Sequence, residues 1–194
     1  YQTFERIRQI TMTAKNDIIL LATYWNERQW IKPSLEQIRR IDPVEVIICD
    51  GCFDPDRQNR STDGTREKIA DFVSERDNAT IISAQRPWRP RGVLSMFRGH
   101  AHSPLRNLFT IPRMNTAYKS ARTASYRLNQ ALTFKHMISQ SKKWEPGRWF
   151  MTYDADQFYS DETIDKFSLT AEETNFGILT AEERTFFTSF DQYT

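Results

Sequence analysis

Apolar and polar positions along this chain fall into two kinds of block. Short continuous apolar runs occupy 17–23 (D-I-I-L-L-A-T), 44–49 (V-E-V-I-I-C), 80–83 (T-I-I-S) and 149–153 (W-F-M-T-Y). Runs of that length without alternation are those of strands covered on both faces. Between them the period lengthens. From Glu27 to Ile41, the residues Trp30, Ile31, Leu35, Ile38 and Ile41 line one side of a helix, with Pro33 marking either a kink or the true start. From Asp63 to Glu75, Ile69, Phe72 and Val73 form a second stripe, and Ser61 or Asp63 stands where a helix cap is needed. A longer helix is expected over 116–141, with Ala117, Ala121, Ala124, Leu128, Ala131, Leu132 and Met137 on its inner side. A short helix over 163–169 and strands over 176–180 and 185–190 complete the pattern. Strand and helix alternating at this spacing predict βαβ units and a parallel sheet.

One stretch breaks the pattern. Between Gln85 and Met114 four prolines (Pro87, Pro90, Pro104, Pro112) and two glycines interrupt every periodic run, so 85–114 reads as one long basic loop of the kind that serves as a lid or stays disordered. At 194 residues the chain is sized for a single domain spanning 1–194. Its 39% hydrophobic and 27% charged residues are those of a globular protein. Six glycines form neither G-x-G-x-x-G nor a P-loop, which removes both Gly-rich phosphate cradles. No apolar run approaches the roughly 18 residues of a membrane span. Two cysteines fit a reducing compartment, and a cytoplasmic protein, free or peripheral to a membrane, is expected.

Charge is unevenly laid out. The 66 residues from Ala79 to Trp144 contain no Asp or Glu but 12 Lys or Arg and all three histidines. The remainder carries a net charge of −10. Such a block suits a polyanion, unless its cations find acidic partners elsewhere in the fold.

Chemistry is concentrated at the ends of the apolar runs. Asp154-Ala155-Asp156 comes directly after one of them. In an open α/β sheet ligands bind beyond the carboxyl ends of the strands, and two carboxylates there can hold a hard divalent cation that bridges a diphosphate. Asp50-Gly51 closes another run, where a carboxylate can meet a base or ribose, or simply make a turn. Thr23 and Tyr24 close the first, and Tyr24 is either a base-stacking ring or a half-buried aromatic. Cys49-x-x-Cys52 with His100 and His102 is a weak match to a zinc set, since no second cysteine pair exists.

Taken together these pieces resemble a family-2-type glycosyltransferase with the GT-A fold. The match rests on A-T-Y-W-N-E at 22–27 (the family's P-x-Y-N-E), I-C-D-G at 48–51 with S-T-D-G-T at 61–65, Y-R-L-N-Q-A at 126–131 (A-R-N-x-A), and T-Y-D-A-D at 152–156. The resemblance covers roughly residues 17–180 and implies a GT-A-like open, mostly parallel sheet with helices on both faces. It also implies a nucleoside-diphosphate-sugar donor, expected to be UDP-linked, a Mn2+ or Mg2+ ion and inverting transfer to an acceptor. By position, Thr23, Tyr24 and Glu27 should surround the nucleoside, Asp50 should contact base or ribose, and Arg127 should lie near base and diphosphate. Asp156 should bind the metal, with Asp154 also near the ribose. The chain departs from the family in three ways. Cys49 replaces the first Asp of D-D-G, Ala22 replaces a Pro, and nine residues (Cys52–Arg60) intrude before Ser61. No motif marks the general base, for which Asp191 is a weak candidate beside Glu182 and Glu183. Only 38 residues come after Asp156, so a short or truncated acceptor half is expected. The basic segment suggests an anionic acceptor such as a polysaccharide, a lipid-linked phosphate or modified DNA. Two other readings compete: a polyanion- or nucleic-acid-binding module built on 79–144, and a sugar-phosphate nucleotidyltransferase, which would require a glycine-rich loop after the first strand.

Overall fold

In Ile18–Tyr24 every residue except Thr23 is buried, and in Glu45–Asp50 every residue is. These runs are the two central strands of an open sheet. The structure, a computed structural model, describes residues 17–90 and 111–173. Within them the elements are β1 (Ile18–Tyr24), α1 (Ile31–Ile41), β2 (Glu45–Asp50), α2 (Thr65–Ser74), β3 (Ala79–Ser83), α3 (Ile111–Gln140), β4 (Trp149–Asp154) and α4 (Asp161–Glu173). The strands expected over 176–180 and 185–190, and most of the loop expected over 85–114, lie outside the described residues; the last four positions of that loop, 111–114, are helical instead and open α3, with Pro112 in its first turn, where no intrahelical bond is lost.

All three strand pairings are parallel and the order is β3-β2-β1-β4. That order dictates where the helices lie. Right-handed crossovers from β1 to β2 to β3 step in one direction, so α1 and α2 share a face. The connection from β3 returns past β1 to β4, which sends α3 to the opposite face by the same handedness. Strand alternation supplies the matching cores. Leu20, Ala22, Tyr24, Val46 and Ile48 pack with Leu35, Ile38, Ile69, Phe72 and, from α4, Ile164. Ile19, Leu21, Ile47 and Cys49 point the other way and meet Phe53, Ala84 and Met137. Among the described residues the fold is therefore α/β, with a four-stranded all-parallel open sheet covered by helices on both faces.

Two elements differ from expectation. The first helix begins at Ile31, not Glu27, because 27–30 form a separate turn in which the Ile31 amide donates to the Glu27 carbonyl at 2.7 Å. Pro33 then falls in the first helical turn, where an amide has no intrahelical partner to lose. The second difference concerns α3. Its inner stripe is Ala121, Ser125, Asn129, Thr133 and Met137, each at most 2% exposed, whereas Leu128 and Ala131 are exposed and Ala117 is outside the described side chains. The reason is what α3 covers. Besides the sheet it covers two irregular segments, 52–60 and 84–90, whose backbone groups have no ladder partners and need polar ones. Asn129 donates to the carbonyls of Phe53 and Trp88, both at 3.0 Å, and accepts from the Trp88 amide at 3.0 Å. Thr133 accepts from the Gln85 amide at 2.9 Å.

Asn129→Ala leaves the buried Phe53 carbonyl and the part-buried amide and carbonyl of Trp88 without this partner, and should lower unfolding stability by about 2–3 kcal/mol. Leu128→Ala, on the outer face, should stay within about 0.5 kcal/mol of wild type. Urea midpoints at constant m-value check both, and a large loss at Leu128 would show that the helix is faced the other way.

Candidate functional site

The sheet order reverses at β1: the chain passes from it to β2 and β3 on one side, and β4 adds on the other. A crevice opens at such a point beyond the carboxyl ends of the strands. Thr23 and Asp154 are register partners there, and the Thr23 hydroxyl donates to Asp154 Oδ1 at 2.7 Å. Around this pair lies a cleft of about 490 Å³, within the range of small-molecule sites. Thr23 to Trp25 and Glu27 line it at the end of β1 and just beyond, Gly51 to Asp54 and Arg57 after β2, Tyr126 and Gln130 from α3, and Asp154 to Asp156 at the end of β4 and just beyond.

The D-A-D segment is shaped by a turn. The Gln157 amide donates to the Asp154 carbonyl, and the Gln157 side-chain oxygen accepts from the Asp154 amide, both at 3.1 Å. Ala155 is buried at the centre while Asp154 and Asp156 stay exposed on the cleft. Glu27 stands close by. Burial raises its carboxyl pKa above the ordinary value, and the charges of Asp156, Asp63 and Asp154 raise it further. Among the described residues no three carboxylate, histidine or cysteine groups converge as a full metal cage. The donor set suits an ion held by one or two carboxylates and completed by phosphate and water, the coordination Mg2+ favours. The negative charge crowded around Glu27 fits a cation at this edge.

The loop carrying Glu27 is fastened by the S-T-D-G-T segment. Ser61 Oγ accepts the Asn26 amide at 2.9 Å, Thr65 Oγ1 the Glu27 amide at 2.8 Å, and Asp63 Oδ2 the Arg28 amide at 2.9 Å. Asn26 Oδ1 accepts in turn from the Thr62 amide at 2.9 Å. Asn26 holds φ at 57°, a left-handed conformation that asparagine tolerates better than most residues. Asp63 also accepts from the Thr65 amide two residues on at 3.1 Å, a turn that leads into α2; the N-cap position itself is taken by Gly64 and not by Ser61 or Asp63.

Thr23, Glu27, Asp154 and Asp156 therefore come together as expected from their sequence positions; Tyr24 borders the same cleft but with its ring turned into the core, and Asp50 and Arg127 do not line it. The Tyr24 ring is 2% exposed in the core, its hydroxyl paired with Ser34 at 2.8 Å, so it offers no stacking face. Asp50 has no exposure: one oxygen accepts from the Ser61 amide at 3.1 Å and the other pairs with Arg66 at 2.6 Å. Both residues sit on the strand face that turns toward α1 and α2, a parity already visible from Leu20 and Val46. Arg127 is exposed on α3 and does not line the cleft, which instead receives its neighbour Tyr126. Asp191, Glu182, Glu183, His100 and His102 are outside the described residues. Cys49 and Cys52 are buried free thiols; burial pushes Cys49 up to about 12 and raises Cys52 as well.

The nine intruding residues build one wall of the cleft. Asp54 pairs with Arg122 of α3, while Arg86 donates to the carbonyls of Asp54 and Arg57, at 2.9 and 2.7 Å. Arg89 donates to the Pro55 carbonyl at 2.6 Å. Three cations of the acid-free segment thus hold this wall. Phe53, Asp54 and Arg57 carry no motif, and their one sequence signal is the chain's departure from the family pattern at 52–60; Trp25, Tyr126 and Gln130 stand inside A-T-Y-W-N-E and Y-R-L-N-Q-A, at positions to which the resemblance assigns no role.

These pairings make two predictions. Arg66→Met strands the enclosed Asp50 charge and should cost about 3 kcal/mol. In an Asp50→Asn background the same change should cost far less, and equal costs in both backgrounds would remove the pair from the account. Burial pushes the Asp54 carboxyl up, but Arg122, the Asp56 amide and Arg57 outweigh it and hold the carboxyl below its usual value. Asp63 is lowered too: its bonds to Thr65 and Arg28 outweigh burial. A depressed carboxyl stabilises the fold above the ordinary pKa of about 4 and loses that contribution as pH falls. Asp54→Asn should therefore lower the melting temperature at pH 7, with the gap to wild type closing toward pH 3.

No protein-family model, curated protein or solved structure matches this chain.

Proposed function

We propose that this chain is a metal-dependent glycosyltransferase of the GT-A type, transferring a sugar from a nucleoside-diphosphate sugar to an acceptor with inversion. The observation that carries the reading is the placement of Asp154 and Asp156 on one cleft with Thr23 and Glu27, at the point where the order of a parallel sheet reverses. The order β3-β2-β1-β4 supports the GT-A part of the reading, as does the succession of motifs along the chain.

In this reading Asp154 and Asp156 hold Mn2+ or Mg2+, which supplies charge neutralisation on the departing diphosphate. The chain's own residues do the positioning. Thr23 occupies Asp154 Oδ1 and leaves Oδ2 for the ion. The Gln157 turn keeps both carboxylates on the same cleft. The S-T-D-G-T bonds hold the Glu27 loop at its side. A bound donor is then oriented before reaction, and orientation with leaving-group stabilisation is what a direct displacement requires.

Cytoplasmic placement, free or at a membrane surface, belongs to the same proposal, and the two free thiols favour it. No helix among the described residues is long and apolar enough to cross a membrane. An anionic acceptor would meet the exposed Lys119, Arg127 and Lys135 of α3. A pure polyanion-binding module is less well supported, because Arg86, Arg89 and Arg122 are engaged within the fold. A nucleotidyltransferase lacks support in the glycine-free turn after β1.

Calorimetric titration with nucleoside diphosphates should show binding that depends on Mn2+. Asp156→Asn should remove that dependence without lowering the melting temperature. Binding indifferent both to Mn2+ and to Asp156→Asn would overturn the reading.

A further inference from the structure

The enclosure of Asp50 leaves the proposed donor site without the base contact expected from its motif. The strand order indicates where another must lie. Along the carboxyl edge the sequence is β4, β1, β2, and adjacent strands are about 4.8 Å apart, so the end of β2 lies about 10 Å from that of β4. A nucleoside diphosphate with its phosphates at Asp154 and Asp156 has the reach to set its base against the segment after β2. Arg57, in the inserted stretch, is the one lysine or arginine among the described residues lining the cleft.

Its setting is built. The guanidinium carbon lies 5.3 Å from the centre of the Trp25 ring. Trp25 is itself held by its indole N–H on the Gln58 carbonyl at 3.0 Å. The Arg57 backbone is held at both ends, its amide on the Asp54 carbonyl at 3.2 Å and its carbonyl receiving Arg86. Arg57 Nε is 3.7 Å from Asp54 Oδ2, an oxygen already taken by Arg122. Its terminal nitrogens meet no acceptor among the described residues. A guanidinium stacked by one face keeps its in-plane donors free as a rigid fork.

We propose that Arg57, lying over the Trp25 ring, reads the base of the donor, and that its fork selects guanine over adenine and over the uracil expected from the resemblance. The proposal rests on the donor-site reading above. Guanine presents O6 and N7 as adjacent acceptors, which a fork meets with two parallel bonds. Adenine places an amino donor where guanine has O6, so one arm of the fork faces a donor and loses its bond. Uracil offers isolated carbonyls and accepts one bond. The phosphates, two strands away, are left to the carboxylate-bound ion.

The test titrates the full chain with GDP, ADP and UDP at saturating Mn2+. Wild type should bind GDP about tenfold or more tighter than ADP, with UDP between them. Arg57→Met should bring the three affinities together while binding stays Mn2+-dependent. Arg57→Lys, which keeps the charge and loses the fork, should also lose discrimination. The residue's side chain is 56% exposed, and unchanged melting temperatures will show both variants folded. Equal affinities in wild type, a preference that survives Arg57→Met, or a uniform loss across all three nucleotides overturns base reading while leaving the donor site intact. Failure of every diphosphate to bind with Mn2+ overturns the donor site and this proposal together.

Discussion

A carboxylate with no access to water persists in an α/β core only when both of its oxygens are met, and in this fold that carboxylate is Asp50. One oxygen takes the Ser61 amide and the other takes Arg66. This pins the start of S-T-D-G-T against the end of β2 and the first turn of α2 against the same group. From that anchor Ser61, Asp63 and Thr65 each accept an amide of the loop after β1. Glu27 and Trp25 therefore stand at the cleft because a buried charge at the end of the neighbouring strand is satisfied. The desolvation cost of an ionised carboxylate is large enough that the loops have few alternatives.

Much of this is legible in the chain itself. The four strands announce themselves as unbroken apolar runs, and their alternation with helical stripes determines the parallel sheet. The carboxylate pair after β4 is likewise local: two residues apart, directly after a strand. Tyr24 and Asp50 escape the motif's logic because a motif gives position along the chain, whereas function depends on which side of the sheet a residue faces. Parity with Leu20 and Val46 carries that second kind of information. The inner face of α3 is hidden for another reason. Its stripe of Ser125, Asn129 and Thr133 is set by unpaired backbone far away in sequence, as the separations of 76 and 48 for Asn129–Phe53 and Thr133–Gln85 show. Hydropathy periodicity does not register such partners.

The acid-free middle of the chain divides its charge between two uses. Lys119, Arg127 and Lys135 stay exposed on α3, while Arg86, Arg89 and Arg122 hold the carbonyls and the one buried carboxylate of the inserted wall. The cleft they help to build is acidic at its β4 end, where Glu27, Asp154 and Asp156 gather, and carries a guanidinium at its β2 end. A ligand that is anionic in the middle and polar at one end matches that layout only in the company of a cation.

The polar stripe of α3 also bears on how the molecule assembles. The βαβαβ half from β1 to β3 closes through contacts between neighbours in the chain. Asn129 and Thr133, by contrast, can be satisfied only after the inserted wall and the stretch after β3 have both taken shape. Closing loops of that length delays the contact until much of the chain is ordered. The docking of α3 is then a late folding event, and by the same token a natural first step of partial unfolding. Because α3 supplies one side of the cleft, a ligand that bridges both of its walls adds contacts that tie α3 to the rest of the fold, and so acts as a staple on its docking.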